Sequence, residues 1–446
     1  MNVIDEYNRK KRTPDEAVRA VCSGDWVEYT MGHGIPPALD RALAARKGEL
    51  HDVKIRGMLA LRPLEVVRAD PKNESFTYTS WHFSGLERRL YDEGSIFYNP
   101  LLYRNEPLHY RATLDIDVAM VAVTPMDRHG YFNFSLHNSA TRAMIEKAKT
   151  VIVEVNEMLP TVLGGREESV HISEVDFVVE GDNLDLPEFP RPMPTEVEKA
   201  VARLIVEQIK DGSTIQFGIG GMPDAIGRLI CESDLKDLGM HTEMLVDAYL
   251  DLFLVGKLTN RCKNIDRGKG VFTFSVGTKA LYDWADRNPG LASYPVDYTT
   301  DPSIIAANDN LVAINNCVEV DLFGQVNSET SGLRQISGTG GQLDFCTGAY
   351  LSRGGKAFLC MSSTYTDKKT GEVRSRIVPT LAAGSAVTDP RSQTPYLVTE
   401  YGIANLIGRS TWERAERVIN IAHPSFRDEL VREAEKMKVW RRSCKR

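Results

Sequence analysis

The stretch "DLGMHTEMLVDAYLDLF", residues 237–253, sets Glu243 between Met240 and the apolar run Met244, Leu245, Val246. Two kinds of carboxylate occupy such a place. One is the paired or half-exposed acid of an ordinary element, and structural acids outnumber catalytic ones. The other is a nucleophile. A carboxylate needs no separate base to attack an acyl carbon. It needs water kept away and backbone N–H groups to receive the oxyanion. The pattern around Glu243 leaves both readings open.

Donors of that kind are encoded nearby. "FGIGGMPDA" places Gly218, Gly220 and Gly221 between an apolar strand pattern and a helix start. Glycines let backbone approach a ligand closely, and N–H groups at a helix start attract anions. Pro223 stands where a dinucleotide fingerprint has its third glycine, and no lysine completes a P-loop. A tight strand-to-helix turn without a ligand is the plain alternative. "SGTGGQLDF" (337–345) adds Gly338, Gly340 and Gly341, and "RGGK" (353–356) follows. Beside strand ends, two such turns could line one crevice at the carboxyl edge of a sheet, for a ligand with phosphates and an extended arm. A surface hairpin is the alternative for the second.

Other chemistries lack their signatures. The histidines form no HxH or HExxH, and the seven scattered cysteines form no CxxC, so no metal site is expected. No GxSxG elbow is present. His171 reads as structural. His129 and His137, in the loop "DRHGYFNFSLHN" (127–138), are better placed to meet a ligand and stay unassigned.

The elements that must position these residues occur twice. "GHGIPPALDRAL" (32–43) resembles "GIGGMPDAIGRLI" (218–230): Gly34 falls on Gly221, Pro36 on Pro223, Ala38 on Ala225 and Arg41 on Arg228. About a hundred residues further along each half, Asp127-x-x-Gly130-x-x-Asn133 is echoed by Asp321-x-x-Gly324-x-x-Asn327. Each of these follows an apolar run, "DVAMVAV" (117–123) or "LVAINNCVEV" (311–320). Two echoes in the same order indicate two similar α/β domains in tandem, with mostly parallel sheets. The joint falls in the proline-rich, acidic stretch 180–199, giving domains 1–190 and 191–446. After it, Thr195 and Glu198 form a capping-box signature for a helix stopped by Gly212, followed by a strand "STIQF" and a helix opened by Pro223.

A formal charge of −7 argues against a general nucleic-acid partner, and no apolar stretch approaches membrane-spanning length. The N-terminus lacks the apolar core of a secretion signal, so a cytoplasmic protein with reduced thiols is expected. The basic tail "KMKVWRRSCKR" reads as the solvated end of a final helix.

Several motifs, in order, resemble one family. "FGIGGMPDAIG", "LGMHTEM", "VDLFGQVNSE", "GTGGQLDF" and "VTEYGIANLIGRS" look like the acetyl-CoA hydrolase/transferase branch of the class I CoA-transferases. The resemblance spans essentially the whole chain. It implies two open α/β domains with the active site at the cleft between them. It makes Glu243 the catalytic residue, carrying a transient glutamyl-CoA thioester. Gly218, Ile219, Gly220, Gly221 and Met222 would form the first CoA-binding loop. Gly338, Gly340 and Gly341 would form the second, and Asn327 and Glu400 would lie near the site. It further implies coenzyme A as substrate with no tightly bound cofactor or metal, short-chain acyl-CoA and carboxylate partners, and a homo-oligomer. Transfer between butyryl-CoA and acetate is the expected reaction. Transfer to 4-hydroxybutyrate, hydrolysis, and a non-catalytic CoA-binding module are the rivals.

Overall fold

The computed structural model describes residues 2–189, 191, 193–218 and 220–441. The chain divides into two compact units. The first comprises Met1–Pro190, Lys269–Thr299 and Gln335–Gly340; the second comprises Arg191–Gly268, Thr300–Arg334 and Gly341–Arg446. The chain thus returns to the first unit twice after the proline-rich joint.

Each unit is built on one sheet. In the first, eight strands run in the order Lys11–Arg12, Phe177–Glu180, Thr150–Val155, Val118–Val123, Trp26–Met31, Val53–Met58, Phe76–Ser80, Ile96–Tyr98. Every neighbouring pair is parallel. A parallel sheet covered on both faces favours continuous apolar strands, and all of Val118–Val123 is buried. In the second unit the order is Gly239–Met240, Thr214–Phe217, Leu311–Asn316, Lys356–Cys360, Tyr396–Thr399, Gly402–Asn405. Its pairings are parallel except the last, an antiparallel hairpin.

The repeat is structural. Gly239–Met240, Thr214–Phe217, Leu311–Asn316, Lys356–Cys360 and Tyr396–Thr399 match Val53–Met58, Trp26–Met31, Val118–Val123, Thr150–Val155 and Phe177–Glu180 in order and direction. The second echo is a matched turn. Asp127 Oδ1 accepts from the N–H groups of His129 and Tyr131 at 2.8 and 2.9 Å. Asp321 Oδ1 accepts from Phe323 and Gln325 at 3.0 and 2.9 Å. Gly130 and Gly324 adopt φ of 89° and 86°, the left-handed region that favours glycine. Asn133 Oδ1 then accepts from Ser135 N–H, as Asn327 Oδ1 accepts from Glu329 N–H.

Local expectations hold with adjusted lengths. Thr195 and Glu198 form the capping box, and the helix runs Glu196–Val206, ending before Gly212. The Pro223 helix starts two residues early, at Gly221, and runs to Glu232. The run 311–320 breaks after Asn316, and Glu319–Asp321 joins a separate small sheet. The final helix is Pro424–Lys436; the end of the basic tail, 442–446, lies outside the described residues. Among the described residues no helix is long and apolar enough to cross a membrane, and the six described cysteines are free.

Candidate active site

In the second unit the candidate residues gather at one edge of the sheet. Chain direction alone dictates this, because segments that follow parallel strands emerge on the same side. Gly218–Gly221 follow Thr214–Phe217, Glu243 follows Gly239–Met240, Asn315 and Asn316 end their strand, Ser363 follows Lys356–Cys360, and Glu400 follows Tyr396–Thr399. "RGGK" does not belong with them. It precedes Lys356–Cys360 and turns at Gly354 (φ 76°), so it lies at the amino edge.

Glu243 sits between the two-residue strands Gly239–Met240 and Met244–Leu245, with His241 and Thr242 buried beside it. Loss of hydration pushes the half-buried Glu243 carboxyl up to about 7; a hydrogen bond from Gly341 N–H opposes the shift, and the Asp344 carboxylate adds to it. Gly341 precedes the helix Gln342–Leu351, and a Cβ on it would overlap Glu243 Oε2. Glycine at 341 therefore makes room for the carboxylate. Asp344, 2 % exposed, lies three residues on, so it shares the helix face that Gly341 turns to Glu243.

The first glycine turn is shaped by backbone. Gly220 has φ 115° and ψ −176°, a region essentially restricted to glycine. Gly218 N–H donates to Ile314 O at 2.8 Å, which ties the turn to the neighbouring strand. Gly221 and Met222 open the helix, whose first N–H groups have no carbonyl within it to meet. Met222 buries its side chain, so only its backbone can serve a ligand. A Cβ on Gly221 would overlap Glu198 Oε1, not open space. Ile219 lies outside the described residues.

The second turn is divided. Gly338 and Gly340 pack with the first unit, while Gly341 counts with the second. A Cβ on Gly338 would come 2.6 Å from Trp81 O, and Gly340 (φ 56°) accepts from Tyr103 N–H at 3.4 Å. Of the three glycines, Gly341 is the one in contact with Glu243.

Asn327 and Glu400 are committed to their own surroundings. Asn327 is buried; its Nδ2 donates to Thr330 O at 2.9 Å and Glu319 Oε1 at 3.1 Å, and its Oδ1 accepts from Glu329 and Thr330 N–H. That is turn construction. Glu400 accepts from Ser363 N–H at 2.9 Å and Ser363 Oγ at 2.5 Å, holding the loop after Lys356–Cys360. His171 accepts from Ser173 N–H as a structural cap, His137 is buried, and His129 is exposed. Phe132 and Phe134 have no exposed surface, so within "DRHGYFNFSLHN" both rings are buried and present no face to a ligand.

Sequence reasoning missed Gln216 and Asn315, whose amides exchange hydrogen bonds at 3.0 and 3.1 Å across adjacent strands beneath Gly218. It also missed Gln342, which donates to Ser328 Oγ (2.8 Å) and Asp389 Oδ2 (2.5 Å). Burial lifts the Asp389 carboxyl to about 6, while Gln342 and the Cys346 thiol hold it down. The polar pair Asn315-Asn316 closing an apolar strand was the available signal.

A desolvated carboxylate with a backbone donor, beside a glycine turn at a carboxyl sheet edge, is equipment for acyl transfer through a covalent acyl-enzyme. The chain belongs to the acetyl-CoA hydrolase/transferase family: the N-terminal domain model matches residues 1–189 and the C-terminal domain model residues 277–434. It is 54% identical to the butyryl-CoA:acetate CoA-transferase of Anaerostipes caccae, across 100% of both chains. It is 39% identical to a 4-hydroxybutyrate coenzyme A transferase of Clostridium kluyveri, over 96% of this chain and 98% of that one. The solved structure of RipA from Yersinia pestis superposes with a TM-score of 0.90 at 37% identity, covering 98% of this chain and 100% of that one.

Proposed function

We propose that the protein transfers CoA between butyryl-CoA and acetate through a thioester on Glu243. The observation that carries this reading is the Glu243 carboxylate: desolvated, and held against Gly341 N–H. Full-length identity to a butyryl-CoA:acetate enzyme supports the choice of acids.

The Glu243 carboxylate attacks the thioester carbonyl. A C–O bond forms, the C–S bond breaks, and CoA thiolate leaves an acyl-glutamyl anhydride. The thiolate attacks the glutamyl carbonyl, the acid departs as its carboxylate, and glutamyl-CoA remains. Acetate reverses the sequence and leaves as acetyl-CoA. The acyl carbons stay at the carboxylic-acid level and the sulfur stays a thiolate or thioester throughout, so these steps need no redox partner. Desolvation assists because the ionised Glu243 is held above its relaxed energy and becomes neutral on acylation. The N–H groups of Gly221 and Met222, at a helix start, suit an anionic part of CoA. CoA is a substrate here, not a resident cofactor, and a cytoplasmic homo-oligomer is the setting we assign; sedimentation and cell fractionation test it.

The test is CoA exchange between butyryl-CoA and a panel of acids, with borohydride trapping and peptide mass spectrometry in the absence of acceptor. Label on Glu243 and preference for acetate support the reading. Label elsewhere overturns the residue, and absence of exchange reduces the protein to a binding module. Thioester loss without acceptor should be at least about a hundredfold slower than with saturating acetate, roughly 2.7 kcal/mol in barrier. Equal rates would make the protein a hydrolase.

A further inference from the structure

The repeat exposes one difference between the halves at the element that carries Glu243. In the first unit, Val53–Met58 has a strand on each side, Trp26–Met31 and Phe76–Ser80. Among the described residues its counterpart in the second unit, Gly239–Met240, pairs with Thr214–Phe217 and ends the sheet, and just before it Leu238 forms an isolated parallel bridge to Leu258. The outward backbone groups of Met240 are nevertheless occupied. Met240 N–H donates to Asn260 Oδ1 at 2.8 Å, and Lys263 Nζ donates to Met240 O at 3.0 Å. Backbone of Lys257–Asn260 still bonds Leu238, but at Met240 two side chains stand where the first unit has a third strand.

Their placement is built in. Lys263 is 3 % exposed although lysine is almost never buried without a partner. Its stem crosses Gly239, where a Cβ would come 2.7 Å from Lys263 Cγ. Asn260 adopts φ 55°, a conformation asparagine tolerates better than most residues, and its own N–H donates to Leu238 O at 3.0 Å. Met240 lies three residues before Glu243, and His241 N–H still bonds Ile215 O at 3.3 Å.

We propose that Lys263, with Asn260, is a positioning residue for the nucleophile: it closes the free sheet edge at Met240 and so fixes the point from which Glu243 leaves the sheet. A strand in that place would not do the same. In the first unit the ladder continues through Gly57 with Ser80, holding the chain in the sheet. Two point contacts hold the outer side of the backbone at Met240, the ladder to Ile215 ends with His241 N–H, and Thr242–Glu243 can then turn toward Gly341. Lys263 touches no reacting atom in this scheme, and its effect must appear in the rate of the covalent step.

The inference rests on Glu243 being the nucleophile, so the experiment reads both. Full-length wild type, Lys263→Met and Lys263→Arg are compared for kcat, KM for butyryl-CoA, rate of Glu243–CoA adduct formation, and amide exchange. Lys263→Met keeps the stem and removes the donor. It should lower kcat and adduct formation at least about tenfold with KM within about twofold, and Lys263→Arg should recover part of the loss. Amide exchange should accelerate at Met240–Glu243 and not in Thr214–Phe217. Should Lys263→Met fail to fold, Lys263→Arg carries the test, with partial loss of kcat and faster exchange confined to Met240–Glu243. Unchanged adduct rates in both variants, or losses in kcat that track KM and global stability, would overturn the proposal. A wild type that forms no adduct on Glu243 would instead overturn the nucleophile.

Discussion

Replacing Glu243 by glutamine should abolish exchange and stabilise the fold, in a pH-dependent way. The carboxyl is lifted from an ordinary 4.5 to about 7, chiefly by desolvation. For an acid raised in this way, the folded state binds its proton more tightly than the unfolded chain does. Stability is therefore greatest below pH about 4.5 and falls as pH rises toward and through about 7. At 1.36 kcal/mol per pH unit, the ionised side chain costs the fold about 3 kcal/mol once pH exceeds 7. Roughly 2 kcal/mol of that cost accrues between pH 5.5 and 8. Glutamine keeps an oxygen for Gly341 N–H and carries no charge, so it escapes the cost. Chemical denaturation of both proteins at the two pH values isolates the effect, because the other buried acids are common to both and cancel. The excess stability of Glu243→Gln should grow by about 2 kcal/mol from pH 5.5 to 8. A constant difference would show that this carboxylate bears no desolvation cost. Residual exchange in the variant would show that it is not the nucleophile.

Because the reaction needs the carboxylate, kcat/KM should fall tenfold per unit as pH drops below about 7, measured in a stopped assay with butyryl-CoA limiting. Gly341→Ala should remove most exchange with little change in melting temperature, since the added Cβ meets Glu243 Oε2. Gly221→Ala should do the reverse, because its Cβ meets Glu198 of the capping box: about 1 kcal/mol of stability is lost and exchange persists. Phe132→Ala, deep in the first unit's core, should cost about 3–5 kcal/mol of stability by denaturant titration. The ratio of hydrolysis to transfer should not rise in the surviving folded enzyme.

Most of this architecture was legible because it depends on local signals that repeat. Apolar strand runs, the Thr195–Glu198 box, Pro223 at a helix start and the Asp-x-x-Gly-x-x-Asn turns are each decided within a few residues. The sheet edge follows from chain direction once the strands are placed. The illegible parts depend on long-range packing. Nothing in "RCKN" announces that Lys263 bonds Met240, 23 residues earlier. "RGGK" read like the other glycine turns because sequence shows a strand end without showing which end.

Duplication supplies a control that a single domain lacks. A residue with the same job in both halves is explained by the fold; one that occurs in a single half needs another reason. Asn327 has its twin in Asn133, both capping the same turn, so its place among family motifs is accounted for by architecture. The glycine–proline helix start also occurs in both halves. Glu243 does not. Neither does its room against Gly341, nor the Asn260–Lys263 closure of a strand that in the first unit is flanked on both sides. These departures from the repeat converge on one short segment, Gly239–Glu243. Among the described residues the second unit has no neighbouring strand at Met240, and the chain just beyond it carries the carboxylate.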